Sequence, residues 1–186
     1  MNVRIEELAA AIRDHLPGNT PWRVRLSAGH DAVELVGGAS STGDVVGAAV
    51  TDDAHAGEVL TQAWYRSCHR DAKLRAVHVW TGRRAESTGV HSRPDRPHAA
   101  DLLLSEALYD ALPPDEADAT EREILHDRDP AKALRALSHD LGLLVVAAAS
   151  GPVTQARPFG ATVAALIGHT ACPLAVVLPS RSHRGS

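Results

Sequence analysis

Residues 143–148 read Leu-Leu-Val-Val-Ala-Ala, and this stretch decides the fold. An apolar run of this length, without alternation, is typical of a β-strand that is buried on both faces. Residues 45–50, Val-Val-Gly-Ala-Ala-Val, form a second run of the same kind. Strands of this type occur in parallel sheets that carry helices on either side. The two runs therefore predict an α/β fold.

Helical and strand patterns alternate around these two runs, from residue 44 to residue 178. The alternation predicts an open parallel sheet of five strands with helices on both faces. A polar segment at 82–97, rich in Arg, Ser, Gly and Pro, is predicted to be an exposed loop. The predicted strands are 45–50, 74–80, 121–126, 143–148 and 174–178, and the predicted helices are 54–70, 98–112, 130–137 and 160–169.

The first 43 residues have a different pattern. Apolar residues at helical spacing predict a short helix over 3–16, and alternating residues predict a β-hairpin with strands at 22–26 and 32–36. A hairpin alone is marginal in water, so the edge of its own sheet or a neighbouring subunit must cover it. We divide the chain into an extension at 1–43, which ends in a flexible joint at 37–43, a domain at 44–179 and a polar tail at 180–186.

Composition excludes several classes of function. The chain has 186 residues, 44% of them hydrophobic, which fits one soluble domain. A formal net charge of -4 gives no general attraction for nucleic acid or anionic lipid. No apolar run reaches the length of a bilayer span, and the acidic first residues do not resemble a secretory signal. The sequence therefore predicts a cytoplasmic protein that binds neither nucleic acid nor membrane.

Patterns for metal binding and for nucleophilic catalysis are missing from the sequence. The 11 histidines show no metal-ligand spacing, and Cys68 and Cys172 do not form a CxxC pair. No Gly-x-Ser-x-Gly segment exposes a nucleophilic serine. We therefore predict no metal site and no catalytic residue. His78 is predicted to satisfy a backbone group, and Cys172 to be a buried packing residue, with a redox-sensing thiol as the alternative.

Three stretches resemble the universal stress protein family. Residues 74–80, Leu-Arg-Ala-Val-His-Val-Trp, are similar to its second strand, which commonly ends in His-Val. Residues 128–131, Arg-Asp-Pro-Ala, are similar to the Gly-Asp-Pro-Ala that opens its third helix. Residues 172–177, Cys-Pro-Leu-Ala-Val-Val, resemble the Cys-Pro-Val-Leu-Val-Val of its last strand. The resemblance covers residues 44–178.

This resemblance implies a fold, a dimer and a ligand. Family members have a parallel five-stranded sheet of the adenine nucleotide alpha hydrolase type. Many pair their last strand across a two-fold axis, which implies a homodimer through Leu174 to Leu178. Many also bind ATP at the carboxyl ends of the first and fourth strands, where an open α/β sheet leaves a crevice. ATP with Mg²⁺ is therefore the candidate cofactor.

The ATP motif of the family is only partly present in this chain. The family's phosphate loop, Gly-x2-Gly-x9-Gly-Ser/Thr, lets backbone N–H groups approach the phosphates. One glycine stands in register here, a second is displaced by one residue, and Pro152 removes an N–H group. On the adenosine side, a neutral threonine replaces the family's acidic residue. The candidate ligand-binding residues are Thr51, Asp52, Val79, Ala147, Ser150, Gly151, Gly160 and Ala161.

These losses favour a stress-response regulatory protein that acts as a dimeric protein-interaction module, with weak or no ATP binding and an unidentified protein partner. Two alternatives stay open: a member that still binds an adenine nucleotide, and a slow ATP hydrolase that requires Mg²⁺. The crevice distinguishes them. An open crevice favours the alternatives, whereas a crevice filled by Arg157, Phe159 or the N-terminal extension favours the interaction module.

Overall fold

The computed structural model describes residues 4–29, 31–37, 43–53, 55–81, 96–149, 153–154 and 156–178. Its strands are β1 (Arg23–Leu26), β2 (Ala32–Val36), β3 (Val45–Ala49), β4 (Lys73–Trp80), β5 (Glu121–His126), β6 (Leu143–Ala147) and β7 (Leu174–Val177). They form one sheet in the order β1-β2-β7-β6-β3-β4-β5. The strands from β7 to β5 in this order are parallel, whereas β1 and β2 run antiparallel to their neighbours.

The predicted α/β fold is confirmed, but the sheet has seven strands rather than five. Five parallel strands form its main part, as the alternating pattern predicts. The other two are the strands of the N-terminal hairpin, which hydrogen-bond to the edge of the parallel part. A prediction from periodicity finds the hairpin but not its place in the sheet, since a hairpin has the same alternation wherever it packs.

The helices are α1 (Ile5–His15), α2 (Ala56–Arg70), α3 (Arg96–Ala111), α4 (Pro114–Ala119), α5 (Pro130–Leu137) and α6 (Ala161–Leu166). Helix α4 is not predicted from the sequence, because two consecutive prolines indicate the end of a helix. Pro114 instead occupies the first turn of a new helix, where the missing N–H costs nothing. Helix α6 is shorter than predicted. In the part of the chain that the structure describes, no helix is long and apolar enough to span a bilayer.

Two apolar cores lie on the two faces of the sheet. Helices α1, α5 and α6 cover one face, and α2, α3 and α4 cover the other. Strand β6 contributes to both cores, because Leu144 and Val146 point into the first and Leu143 and Val145 into the second. All four side chains are buried. The prediction that this strand is buried on both faces is therefore confirmed.

The hairpin closes one edge of the sheet. Strand β2 pairs with β7, with Val33 opposite Val176 and Ala32 opposite Val177. Helix α1 covers the hairpin on one face, where Val33 and Leu35 are fully buried. The hairpin thus packs against the edge of its own sheet, which is one of the two arrangements considered from the sequence.

Both edges of β7 are hydrogen-bonded within the chain, to β6 on one side and to β2 on the other. A homodimer that pairs β7 across a two-fold axis needs one of these edges free. The homodimer stays a prediction. An interface formed by Leu174 to Leu178 would require the hairpin to leave the sheet.

Some predicted features lie outside the described residues. These are most of the joint, at 38–42, most of the polar loop, at 82–95, the site residues Ser150 and Gly151, and the tail at 180–186. The division into extension, domain and tail stays a prediction.

Gly43 and Gly142 meet where β3 and β6 begin. A methyl group built on Gly142 would overlap the carbonyl oxygen of Gly43, and one built on Gly43 would lie 2.7 Å from the amide nitrogen of Gly142. The approach lets the Gly142 N–H donate to the Val45 carbonyl at 2.8 Å. Because backbone atoms give way less easily than a flexible side chain, glycine is required at both positions.

We expect Gly142→Ala to lower the free energy of unfolding by about 1–3 kcal/mol, because the added methyl group forces the two backbones apart. Urea denaturation would measure the change. Gly57→Ala is the matched control, since open space surrounds Gly57 in α2, and it should change the free energy by less than about 1 kcal/mol. Equal stabilities of Gly142→Ala and the unaltered chain would contradict the close approach.

Polar contacts attach the hairpin to α2. Asp31, just before β2, accepts hydrogen bonds from the Ser27 hydroxyl at 2.6 Å and from the Gln62 side-chain amide. The guanidinium of Arg66 lies 3.7 Å from the same carboxylate. Burial alone raises the pKa of Asp31, but the two hydrogen bonds and the Arg66 charge outweigh it, so the pKa lies below its ordinary value of 3.8.

The lowered pKa of Asp31 predicts a pH dependence of stability. A carboxyl group whose pKa is lower in the folded than in the unfolded chain stabilises the fold above its unfolded pKa, and this contribution is lost as the pH falls through the folded pKa. Asp31→Asn should therefore be less stable than the unaltered chain near neutral pH, and the difference should shrink below about pH 4. Urea denaturation at a series of pH values would measure it. Asp110→Asn, at an exposed position of α3, is the control; a difference for Asp31→Asn that does not change with pH would refute the prediction.

Candidate functional site

The carboxyl ends of β4, β3 and β6, which are neighbours in the sheet, meet at one edge. Every predicted site residue that the structure describes lies at this edge. They are Thr51 and Asp52 after β3, Val79 in β4, Ala147 at the end of β6, and Gly160 and Ala161 at the start of α6.

Gly160 holds the start of α6 against the end of β6. Its N–H donates to the carbonyl of Ala148 at 2.7 Å. A methyl group built on Gly160 would make ordinary van der Waals contact with Ala149, 3.6 Å away. Packing within the chain therefore does not require glycine here. The one N–H group that the retained glycine offers is already used by the chain itself.

In the described part of the loop between β6 and α6, Thr154 and Arg157 pair with each other. The Thr154 N–H donates to the Arg157 carbonyl at 3.1 Å, and the Arg157 N–H donates to the Thr154 carbonyl at 3.0 Å. The Arg157 N–H also lies 3.1 Å from the Thr154 hydroxyl oxygen. Together with Gly160, three N–H groups in the described part of this loop donate to oxygens of the chain.

The turn after β3 is organised by Asp53. Its carboxylate accepts a hydrogen bond from the Thr51 hydroxyl at 2.6 Å and one from the His55 N–H at 2.8 Å. The Thr51 hydroxyl is therefore engaged, and the side chain of Asp52 is exposed. The family motif points to Thr51 and Asp52 but not to Asp53. An aspartate shortly before a helix is a signal for such a turn, because its carboxylate can accept backbone N–H groups.

His78 and Val79 form the β4 side of the site. The His78 ring donates from Nδ1 to the Val50 carbonyl at 3.0 Å, as predicted, since a carbonyl only accepts. This bond links the ends of β3 and β4. Val79 is half-buried against the core that contains α1, α5 and α6. It keeps an apolar surface at the position that the resemblance assigns to adenine.

A stacked aromatic pair, which the sequence analysis misses, stands beside this position. Trp80 ends β4 and His126 ends β5, and the strand register places them opposite each other. Their ring centroids are 4.4 Å apart and the ring planes differ by 23°. Each residue is the last of a predicted strand, and adjacent parallel strands end at the same edge. That coincidence is the signal by which the pair could have been found.

The N-terminal extension reaches the loop before α6. Phe159 is partly buried, and its ring meets the ring of His15, from α1, edge to face at 5.4 Å. His15 also donates from Nε2 to the Ala164 carbonyl of α6 at 3.0 Å. Arg157 is exposed. Phe159 and the N-terminal extension, two of the three groups expected to fill the crevice, thus pack against each other beside the site. Arg157, the third, points to solvent.

A comparison with sequence models of protein families finds a match for most of the chain. The sequence model of the universal stress protein family matches residues 44–177. The chain belongs to the universal stress protein family. Its match begins one residue before β3 and ends with β7, so the helix and hairpin of the extension lie before the matched region. No curated protein matches the chain.

Solved structures of other universal stress proteins share the fold. One from Archaeoglobus fulgidus has a TM-score of 0.52 and 18% identity, over 72% of this chain and 91% of its own. Another from Archaeoglobus fulgidus, in complex with dAMP, has a TM-score of 0.51 and 18% identity, over 74% of this chain and 98% of its own. A universal stress protein in complex with cAMP has a TM-score of 0.52 and 20% identity, over 73% of this chain and 97% of its own.

The two cysteines of this universal stress protein have opposite surroundings. Cys172, before β7, is fully buried, and burial raises its pKa to about 12. Cys68, on α2, is exposed. Since the thiolate is the reactive form, the raised pKa of Cys172 favours the packing role over redox sensing. Among the described residues, no group of three or more His, Cys, Asp and Glu side chains is placed to hold a metal ion.

We expect a disulfide reagent such as dithionitrobenzoate to modify one thiol of the folded chain rapidly and two of the unfolded chain. Cys68→Ser should remove the rapid reaction, whereas Cys172→Ala should leave it, because Cys172 is buried and protonated. Absorbance of the released thiolate near neutral pH measures both. Rapid reaction in the folded Cys68→Ser variant would revive the redox-sensing alternative.

Proposed function

We propose that this universal stress protein is a cytoplasmic stress-response regulatory protein that works as a protein-interaction module, with weak or no ATP binding. The observation that carries the proposal is the set of hydrogen bonds made by three N–H groups in the described part of the loop before α6. A phosphate cradle needs backbone N–H groups that point to the ligand and have no other acceptor. The N–H groups of Thr154, Arg157 and Gly160 donate to oxygens of the chain itself.

The adenosine side supports the same proposal. Thr51 is neutral, and its hydroxyl donates to Asp53. A hydrogen bond to a charged group contributes about 1.5–3 kcal/mol and a neutral one about 0.5–1.5 kcal/mol, so the loss of the acidic residue lowers affinity about tenfold. The contact between Phe159 and His15 puts an apolar ring and part of the extension next to the crevice. Both features are those expected of the interaction module.

The homodimer, too, remains a prediction within this proposal. As long as β2 occupies the edge of β7, a dimer must use another surface. An interaction module does not depend on that particular interface.

Adenine-nucleotide binding is the second candidate. Two structural neighbours were solved with dAMP and with cAMP. Val79 presents an apolar surface at the carboxyl end of β4, beside the stacked pair of Trp80 and His126. A nucleotide could therefore be held by its base even where the phosphate contacts are poor.

Isothermal titration with ATP and Mg²⁺ tests the proposal. The purified protein is first checked for bound nucleotide by absorbance and mass spectrometry. We expect no binding heat up to about millimolar ATP, which corresponds to a binding free energy weaker than about -4 kcal/mol. Micromolar binding would instead establish the second candidate.

Two substitutions test whether any binding heat comes from the candidate site. Thr51→Asp restores a carboxylate and should raise any residual affinity about tenfold if the base and ribose are held at this edge. Val79→Asp places a charge against the base and should abolish it. Binding heat that neither substitution changes would come from a different surface and would not support nucleotide binding at the candidate site.

A further inference from the structure

Strand β1 is the last strand of the sheet on the side of the hairpin. One of its edges pairs with β2, from Arg23 opposite Val36 to Leu26 opposite Val33. Among the described residues, no strand pairs with its other edge, which we call the open edge. Such an edge presents backbone N–H and C=O groups with which another extended segment can pair. The hairpin therefore covers β7 and leaves β1 as the edge of the sheet.

The strand register shows which backbone groups the open edge presents. The Ser27 N–H, directly after β1, donates to the Ala32 carbonyl of β2 at 3.0 Å. Since backbone groups alternate in direction along a strand, those of Arg25 also point to β2. The backbone groups of Val24 and Leu26 point away from β2. These two residues therefore offer two N–H donors and two carbonyl acceptors at the open edge.

The two faces of β1 differ in chemistry. Val24 and Leu26 lie partly buried against the core that contains α1. Arg23 and Arg25 lie on the other face and are exposed. Side chains of a strand point alternately to its two faces. A segment that pairs with the open edge therefore places alternate side chains beside an apolar surface and beside two guanidinium groups.

The arginine face carries a surplus of positive charge. Arg25 lies 2.8 Å from a carboxylate oxygen of Glu34. Arg66, on α2, lies 3.5 Å from the other oxygen of Glu34 and 3.7 Å from a carboxylate oxygen of Asp31. These two cations and two carboxylates balance each other. No described residue forms an ion pair with Arg23, so its charge favours a partner that carries carboxylates.

The same charges disfavour a second copy of this chain at the open edge. Two copies of β1 that meet around a two-fold axis pair in antiparallel order. In either register that pairs three of the four residues of β1, an arginine lies opposite an arginine. Like charges at opposite positions destabilise a pair of strands, whereas opposite charges stabilise it. An acidic strand therefore fits this edge better than a second β1 does.

We infer that the open edge of β1 binds an extended segment of the partner protein in which acidic and apolar residues alternate. The segment adds a strand to the sheet. Its backbone pairs with Val24 and Leu26, its apolar side chains lie beside α1, and its carboxylates lie beside Arg23 and Arg25. This inference rests on the proposed function, because it names the surface and the partner of the interaction module.

A synthetic peptide of alternating Glu and Val residues tests the inference on the full chain. Fluorescence anisotropy of the labelled peptide measures binding at low salt, and a peptide of alternating Lys and Val is the control. We expect the Glu peptide to bind at least about tenfold more tightly than the Lys peptide. The net charge of -4 by itself favours the Lys peptide, so this preference would report a local cationic surface. Binding should weaken at about 1 M salt, where the screening length is about 3 Å.

Hydrogen exchange identifies the surface that the peptide occupies. Saturating Glu peptide should slow exchange at the amides of Val24 and Leu26 at least about tenfold, because these N–H groups then donate to the peptide. Ile124, on β5 at the other edge of the sheet, is the matched position. The Asp127 N–H donates to the Trp80 carbonyl of β4, so by the same alternation the Ile124 N–H points away from β4. Exchange at Ile124 should not change.

Substitutions separate the backbone contribution from the charge. Val24→Pro removes an outward N–H group and no hydrogen bond to β2, a position at which a strand tolerates proline. It should weaken binding of the Glu peptide at least about tenfold, whereas Ile124→Pro should not. Arg23→Glu should abolish the preference for the Glu peptide, whereas Arg128→Glu, exposed before α5, should leave it. If Val24→Pro fails to fold by circular dichroism, Arg23→Glu decides in its place.

Four results would each overturn the inference. They are no binding of the Glu peptide up to about millimolar concentration, binding that leaves exchange at Val24 and Leu26 unchanged, binding that neither Val24→Pro nor Arg23→Glu weakens, and exchange at these amides that slows with protein concentration alone. The last result would assign the edge to a second copy. Micromolar binding of ATP would refute the proposed function without changing any of these readouts, so the two can fail separately.

Discussion

A strand made of Leu-Ala-Val-Val cannot stand at the edge of a sheet in water without offering its backbone to other chains, and the N-terminal part of this protein is arranged around that constraint. Strand β2 supplies the missing hydrogen-bond partner. The apolar side of the hairpin then needs a cover, which is α1, and its polar side needs counter-charges, which Arg66 provides. Each element of the extension thus follows from the previous one.

The same extension influences the other end of the molecule. Helix α1, placed by the hairpin, packs beside α6, where His15 reaches the Ala164 carbonyl and the ring of Phe159. The described part of the loop between β6 and α6 therefore contacts the extension through Phe159 and makes hydrogen bonds of its own between Thr154 and Arg157. The N-terminal extension therefore both covers the edge of β7 and contacts the candidate site.

A strand that is buried on both faces appears in the sequence as an uninterrupted apolar run. For this reason β3 and β6 are predicted within one residue of their observed ends. No local sequence pattern indicates that β2 pairs with β7. The alternation of Val33, Glu34 and Leu35 suits the edge of the same sheet and a neighbouring subunit equally well. Contacts between residues that are far apart in the sequence are not predicted by local patterns either. The close approach of Gly43 and Gly142 and the position of Arg66 between two carboxylates depend on the assembled sheet.

The candidate site combines lost glycines with hydrogen bonds inside the loop before α6. Backbone N–H groups need acceptors, which other oxygens of the chain, water or a ligand can supply. Thr154, Arg157 and Gly160 have found them. On the proposal above, a phosphate held by these three N–H groups would have to replace their hydrogen bonds within the chain, at about 1 kcal/mol each, which amounts to about a hundredfold in affinity. On the same proposal, the neutral Thr51 lowers the affinity by about another tenfold. The motif residues alone predict a weakened site. On the proposal above, restoring one glycine or one hydroxyl would not recover it, because the hydrogen bonds within the loop would remain.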